Sequence, residues 1–72
     1  MAESYKLTGR ILRDTTKATQ MLVSEINGVP LDEDREEWFP LSQTSKIIRA
    51  GSSSDQDELW VSAWILEQKE ML

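Results

Sequence analysis

Hydrophobic and polar residues alternate along most of the chain, and that period of two is the signature of half-buried strands. In residues 5 to 13, YKLTGRILR, it sets Leu7, Gly9 and Ile11 on one face and Lys6, Thr8 and Arg10 on the other. Glycine in mid-strand marks a bulge or a sharp bend, so Gly9 is where a small sheet would curl. The polar DTTK then predicts a short hairpin connection. Residues 18 to 26, ATQMLVSEI, predict a second strand with a flaw: Met21 and Val23 fall on one face, Leu22 and Ile26 on the other. A bulge or burial on both sides accounts for it. Asn27-Gly28 is a turn pair, since both residues tolerate positive φ, but Pro30 argues against an immediate return strand and predicts a connection over 27 to 34. A third strand then runs from about Arg35 into Trp38-Phe39-Pro40, and Pro40, with no amide hydrogen, belongs on an edge or at a strand end. SQTS reads as a turn, KIIRA (46 to 50) as a short strand, GSSSDQD as a loop and ELWV as the start of a last strand.

From Ser62 the pattern changes to helix-formers, AWILEQKEML, with Trp64, Gln68 and Met71 on one stripe and Ile65, Lys69 and Leu72 on the next. Ser62 is the predicted cap, its hydroxyl accepting a bond from an early amide. So short a helix persists only if it packs on the sheet. The expected fold class is therefore α+β, mainly β: a small curled antiparallel sheet, or SH3/OB-like partial barrel, of four or five strands with a C-terminal helix. Residues 1 to 72 form one domain in this reading.

Composition narrows the function more than the fold. The chain has 72 residues, 39% of them hydrophobic, and no cysteine or histidine. Those two absences remove thiolate nucleophiles, disulfides, the commonest metal ligand and the commonest general base. The acidic run Asp32, Glu33, Asp34, Glu36, Glu37 lacks calcium-loop spacing, because an EF-hand started at Asp32 needs glycine and glutamate where Glu37 and Gln43 stand. Ser42, Ser45, Ser52, Ser53 and Ser54 have no histidine to activate them, and Gly9, Gly28 and Gly51 are too isolated for a phosphate-binding loop. The expectation is a protein that is not an enzyme and takes no cofactor and no metal. No apolar run approaches a membrane span and MAESYK is too polar for a signal sequence, which predicts a cytoplasmic protein without a membrane partner.

Thirteen acids against eight basic residues give a formal net charge of −5, which opposes long-range attraction to a phosphate backbone. Two binding readings follow. Trp38 and Phe39 point to opposite faces of a strand; Phe39, with no polar atom, goes inside, and Trp38 takes the outer face or the rim. There it either packs under the C-terminal helix near Trp64 or anchors a partner protein with a basic surface, with Pro40, Asp34, Glu36 and Glu37 around it. In the alternative, Lys6, Arg10, Arg13 and Lys17 form a basic stripe that holds single-stranded nucleic acid together with Tyr5 or Trp38.

Lys17-Ala18 with the following strand, then WFPLSQ at 38 to 43, then WILEQK at 64 to 69, resembles a loose group of short phage and bacterial β-rich proteins and terminal domains. They read roughly K-A-x-L, W-[IV]-P-K-S-Q and W-[IL]-x-x-K. Trp38, Pro40, Ser42, Gln43 and Trp64 match motif positions, while Leu41 replaces the usual lysine and Thr44 the usual aliphatic residue. The resemblance implies a compact β-rich domain of phage or mobile-element origin, and it carries over no catalytic residue. It also leaves Ser42 and Gln43 a structural role, bonding free backbone groups where the strand ends.

Overall fold

The computed structural model describes residues 4–51 and 55–72, so Ser52, Ser53 and Ser54 of the predicted loop lie outside the described residues. Five strands, β1 (Ser4–Asp14), β2 (Ala18–Ile26), β3 (Val29–Pro40), β4 (Thr44–Ile48) and β5 (Asp57–Ser62), precede one short helix, α1 (Ala63–Gln68). A 3-10 turn, Leu41–Gln43, joins β3 to β4 where a turn was expected. The strands form one unclosed sheet in the order β3-β2-β1-β5-β4, with every neighbouring pair antiparallel. β3 and β4 are its two edges.

One buried cluster joins Leu7, Met21, Val23, Ile26, Phe39, Leu59, Val61, Ile65 and Leu66. In a flat sheet β3 and β5 would lie about 14 Å apart, three strand spacings. Phe39 of β3 and Leu59 and Val61 of β5 are nonetheless all fully buried in that one cluster beneath a six-residue helix, which a sheet curled around its inner face achieves. Gly9 makes the curl possible. A β-carbon there would overlap the Leu22 carbonyl oxygen and lie 3.0 Å from its carbon and 3.2 Å from the Ser24 nitrogen.

The flaw in the β2 pattern is a bulge. Thr8 pairs with Glu25 and Gly9 with Val23, so Ser24 is the extra residue, and its hydroxyl donates to the Thr8 carbonyl at 2.9 Å. Beyond Ser24 the inner face changes parity, which turns Ile26 into the core while Leu22 stays outside, half-buried. A second shift makes Leu12 extra on β1, since Ile11 pairs with Met21 and Arg13 with Gln20.

The expected connection over 27 to 34 is corrected. Asn27 (φ 51) and Gly28 (φ 82) make a two-residue turn, and β3 starts at Val29, paired with Ile26. Pro30 is tolerated because β3 is an edge strand and the position beyond the Ile26–Val29 pair directs its backbone away from β2. The chain between Pro30 and Arg35 does leave the ladder, for the register advances two residues on β2 (Glu25 to Val23) against five on β3 (Pro30 to Arg35).

The predicted cap and helix are present, but the helix is shorter and lies differently from the predicted stripes. The Ser62 hydroxyl accepts from the Ile65 amide at 3.4 Å and donates to Gln43 Oε1 at 2.6 Å. Gln43 thus bonds a side chain, not a free backbone group. Ile65 and Leu66 are buried, and Trp64 is 55% exposed. After Gln68 the chain reverses with Glu70 at φ 57, Glu70 N–H donating to Glu67 and Met71 N–H to Leu66. This is a Schellman closure in which glutamate occupies the usual glycine position. Arg35 ties the closure to β3: its guanidinium donates to the carbonyls of Lys69 (3.1 Å) and Glu70 (3.3 Å) and to Glu37 at 2.6 Å. Lys69 adds a 3.6 Å ion pair to Glu37 and lies 5.7 Å from the Phe39 ring centre. Among the described residues no helix is long and apolar enough to cross a membrane.

Candidate partner-binding surface

The outer face of β3, β2 and β1 gathers most of the residues that the two binding readings named. Trp38 pairs with Gln20 and Gln20 with Arg13, which makes one row across three strands. The next row is Glu36, Leu22 and Arg10. Gln20 Nε2 donates to Glu36 Oε1 at 2.7 Å and links the rows. Trp38 remains 39% exposed, whereas Phe39 beside it is fully buried, the division that the alternation of side chains predicts. Since α1 buries Ile65 and Leu66 in the same core as Phe39, the helix lies on the inner side. Packing of Trp38 under the helix near Trp64 is therefore corrected: Trp38 occupies the opposite face.

The acidic residues divide by strand parity. Glu36 stands on the outer face beside Trp38. Glu37 points inward and is committed to Arg35 and Lys69. Asp34 borders a hollow of about 210 Å³ together with Gly9, Arg10, Leu22 and Ser24, so it shares a wall with one of the predicted bases. Pro40, half-buried, closes the end of β3 and lines a hollow of about 380 Å³ with Thr16, Lys17, Leu41 and Ser42.

The basic residues divide too. Arg10 and Arg13 are exposed and make no ion pair among the described residues. Lys17 sits at the β1–β2 turn, its carbonyl accepting from the Leu41 amide at 2.8 Å. Lys6 lies toward β5, paired with Glu58 at 3.6 Å, in a row that continues through Trp60 to Lys46. There Lys46 Nζ is 5.0 Å from the Trp60 ring centre, within cation–π range. Tyr5 packs against the core and is not beside Trp38.

The surface is thus charge-segregated: Asp34 and Glu36 on β3, Arg10 and Arg13 on β1, and Trp38, Gln20 and Leu22 between them. Leu12, 40% exposed at its bulge, adds apolar area on β1. Gln20, Leu22 and Leu12 were not singled out from the sequence, because their place depends on the two bulges that set the register. Among the described residues no cluster of three His, Cys, Asp or Glu side chains is placed to hold a metal ion. The Asp14 carboxyl is held below its ordinary range, by the hydrogen bond from Arg49 first and that from the Thr19 hydroxyl second. It joins the ends of β1 and β4 and lies apart from this surface.

Compared with models of protein families, with curated proteins and with solved structures, the chain matches none.

Proposed function

We propose that the chain is a non-enzymatic protein-interaction module that docks a partner through the outer face around Trp38. The observation that carries this reading is the contrast between Trp38 and Phe39. In a domain this small, apolar area is scarce, yet the larger ring is left 39% exposed among polar neighbours. Tryptophan is the residue most enriched where binding energy concentrates, and a polar rim that excludes water is its usual setting. The partner presents an apolar pocket for the indole and basic groups opposite Asp34 and Glu36. In line with the resemblance of WFPLSQ to short phage proteins, the module is an accessory of a phage or mobile element and its partner a host protein.

The test is affinity capture from a lysate of host cells by the wild-type chain and by Trp38→Ala. Loss of specific partners from a mutant that keeps its fold supports the reading; undiminished recovery refutes it. Arg10 and Arg13, without an ion pair among the described residues and on the same face, support a second reading as a single-strand binder. Titration with oligothymidine separates the two, since shifts at Arg10 and Arg13 that vanish at high salt belong to nucleic acid.

A further inference from the structure

β3 has a free edge, and the hydrogen-bond phase shows what it offers. The Leu41 amide bonds the Lys17 carbonyl at 2.8 Å, in the same register series as Ala18–Pro40 and Gln20–Trp38. In an antiparallel ladder bonded and non-bonded pairs alternate. Thr19–Phe39, Met21–Glu37 and Val23–Arg35 are therefore the bonded pairs, while Trp38 and Glu36 turn their N–H and C=O groups away from β2. Among the described residues no strand lies beyond β3 in the sheet. The two residues whose side chains form the outer-face cluster thus also present the open backbone edge. Pro40 ends that edge, and the stretch between Pro30 and Arg35 leaves the ladder, so the usable window is short.

The charge around the window selects the occupant. Glu37 and Arg35 are engaged with the helix end, whereas Asp34 and Glu36 make no ion pair among the described residues, Glu36 holding only the bond from Gln20. A second copy of β3 laid antiparallel on this edge would bring Glu36 against Glu36 in the register centred there, and in every register it sets two chains of net charge −5 side by side, which is destabilising. An extended segment carrying lysine or arginine meets the opposite sign.

We infer that β3 accepts an extended, basic segment of the partner protein as a sixth strand. The segment bonds the backbone of Glu36 and Trp38, sets an apolar side chain against the indole and directs a lysine or arginine to Glu36. This is recognition by strand addition, in which the main chain supplies affinity and alternate side chains supply selectivity. It rests on the reading of the chain as a protein-interaction module.

The experiment uses the 15N-labelled full chain and a short synthetic strand peptide that carries valine and lysine two residues apart with threonine between them, so that both fall on the face of Trp38 and Glu36. The expected result is amide shifts centred on Glu36 and Trp38. Methylating the peptide nitrogens of one phase, those that face the edge, should weaken binding about tenfold or more, and methylating the other phase should change it by less than about twofold. Glu36→Lys should weaken the valine–lysine peptide and strengthen a valine–glutamate peptide. Equal losses from both methylation phases, shifts confined to Arg10 and Arg13, or self-association of the chain at the same residues would each overturn the inference. If the peptide fails while Trp38-dependent capture of a protein persists, only the strand-addition geometry falls; if both fail, the module reading falls with it.

Discussion

Replacing Gly9 with alanine tests the curl of the sheet directly. The new methyl would overlap the Leu22 carbonyl oxygen and meet the Leu22 carbon at 3.0 Å and the Ser24 nitrogen at 3.2 Å. All of these are backbone atoms of the neighbouring strand, so no flexible side chain can yield. Relief requires β1 and β2 to separate at the Ser24 bulge, where the Ser24–Thr8 bond holds them. Overpacking ordinarily costs about 1–3 kcal/mol, and a backbone clash belongs at the upper end. For 72 residues the whole stability is on the order of 4–11 kcal/mol, so about 3 kcal/mol is a large share. In a domain of this size it corresponds to a fall in Tm of roughly 12–24 °C. Gly28→Ala is the control: φ is 82 there, but no atom lies within 4 Å of the added carbon, so only the left-handed backbone strain of about 1–2 kcal/mol applies. Urea titration followed by far-UV circular dichroism measures both, with an unchanged slope required for the comparison. If Gly9→Ala loses no more stability than Gly28→Ala, the account of the curl is wrong.

Three further outcomes are expected. Phe39→Ala should cost about 3–5 kcal/mol and Trp38→Ala no more than about 1, and the same titration showing equal losses would overturn the assignment of faces. Glu70→Gly should stabilise by about 1 kcal/mol, because glycine suits the φ of 57 and the main-chain bond to Arg35 is kept; thermal unfolding reads the rise. The pKa of Asp14 is lowered on folding by Arg49 and then Thr19, so its contribution is complete above the unfolded-state value and disappears as pH falls through the folded one. Asp14→Asn should therefore flatten the acid limb of the stability curve below about pH 4, followed by denaturation at stepped pH, and an unchanged limb would contradict the Arg49 contact.

The sequence made the strands legible wherever a local rule decided the outcome. Alternation placed Leu7 and Phe39 inward, a mid-strand glycine marked the close approach at Gly9, and the missing amide of Pro40 marked an edge. What stayed hidden depends on residues far apart in the chain. Pro30 forbids a strand only if both of its sides are paired, and that β3 has an open side follows from topology. The row Trp38, Gln20, Arg13 exists because single extra residues at Leu12 and Ser24 set the register, and neither has a signal beyond a broken alternation. The inward commitment of Glu37 needs Arg35 and Lys69, which meet only when the chain end returns to β3. The candidate surface was accordingly legible as a set of residue types, and Trp38 with Glu36 could be grouped by parity, but the arrival of Arg10 and Arg13 on the same face could not.

The placement of the tryptophans has an optical consequence. Trp38 and Trp64 already face water in the native chain, and Trp60 lies beneath a lysine rather than in the core cluster, which Phe39 alone supplies with a fully buried ring. Indole emission will thus change colour little when the sheet comes apart. The same light is well placed to register anything that covers the open ring on β3, so in this molecule intrinsic fluorescence reports encounters more faithfully than it reports folding.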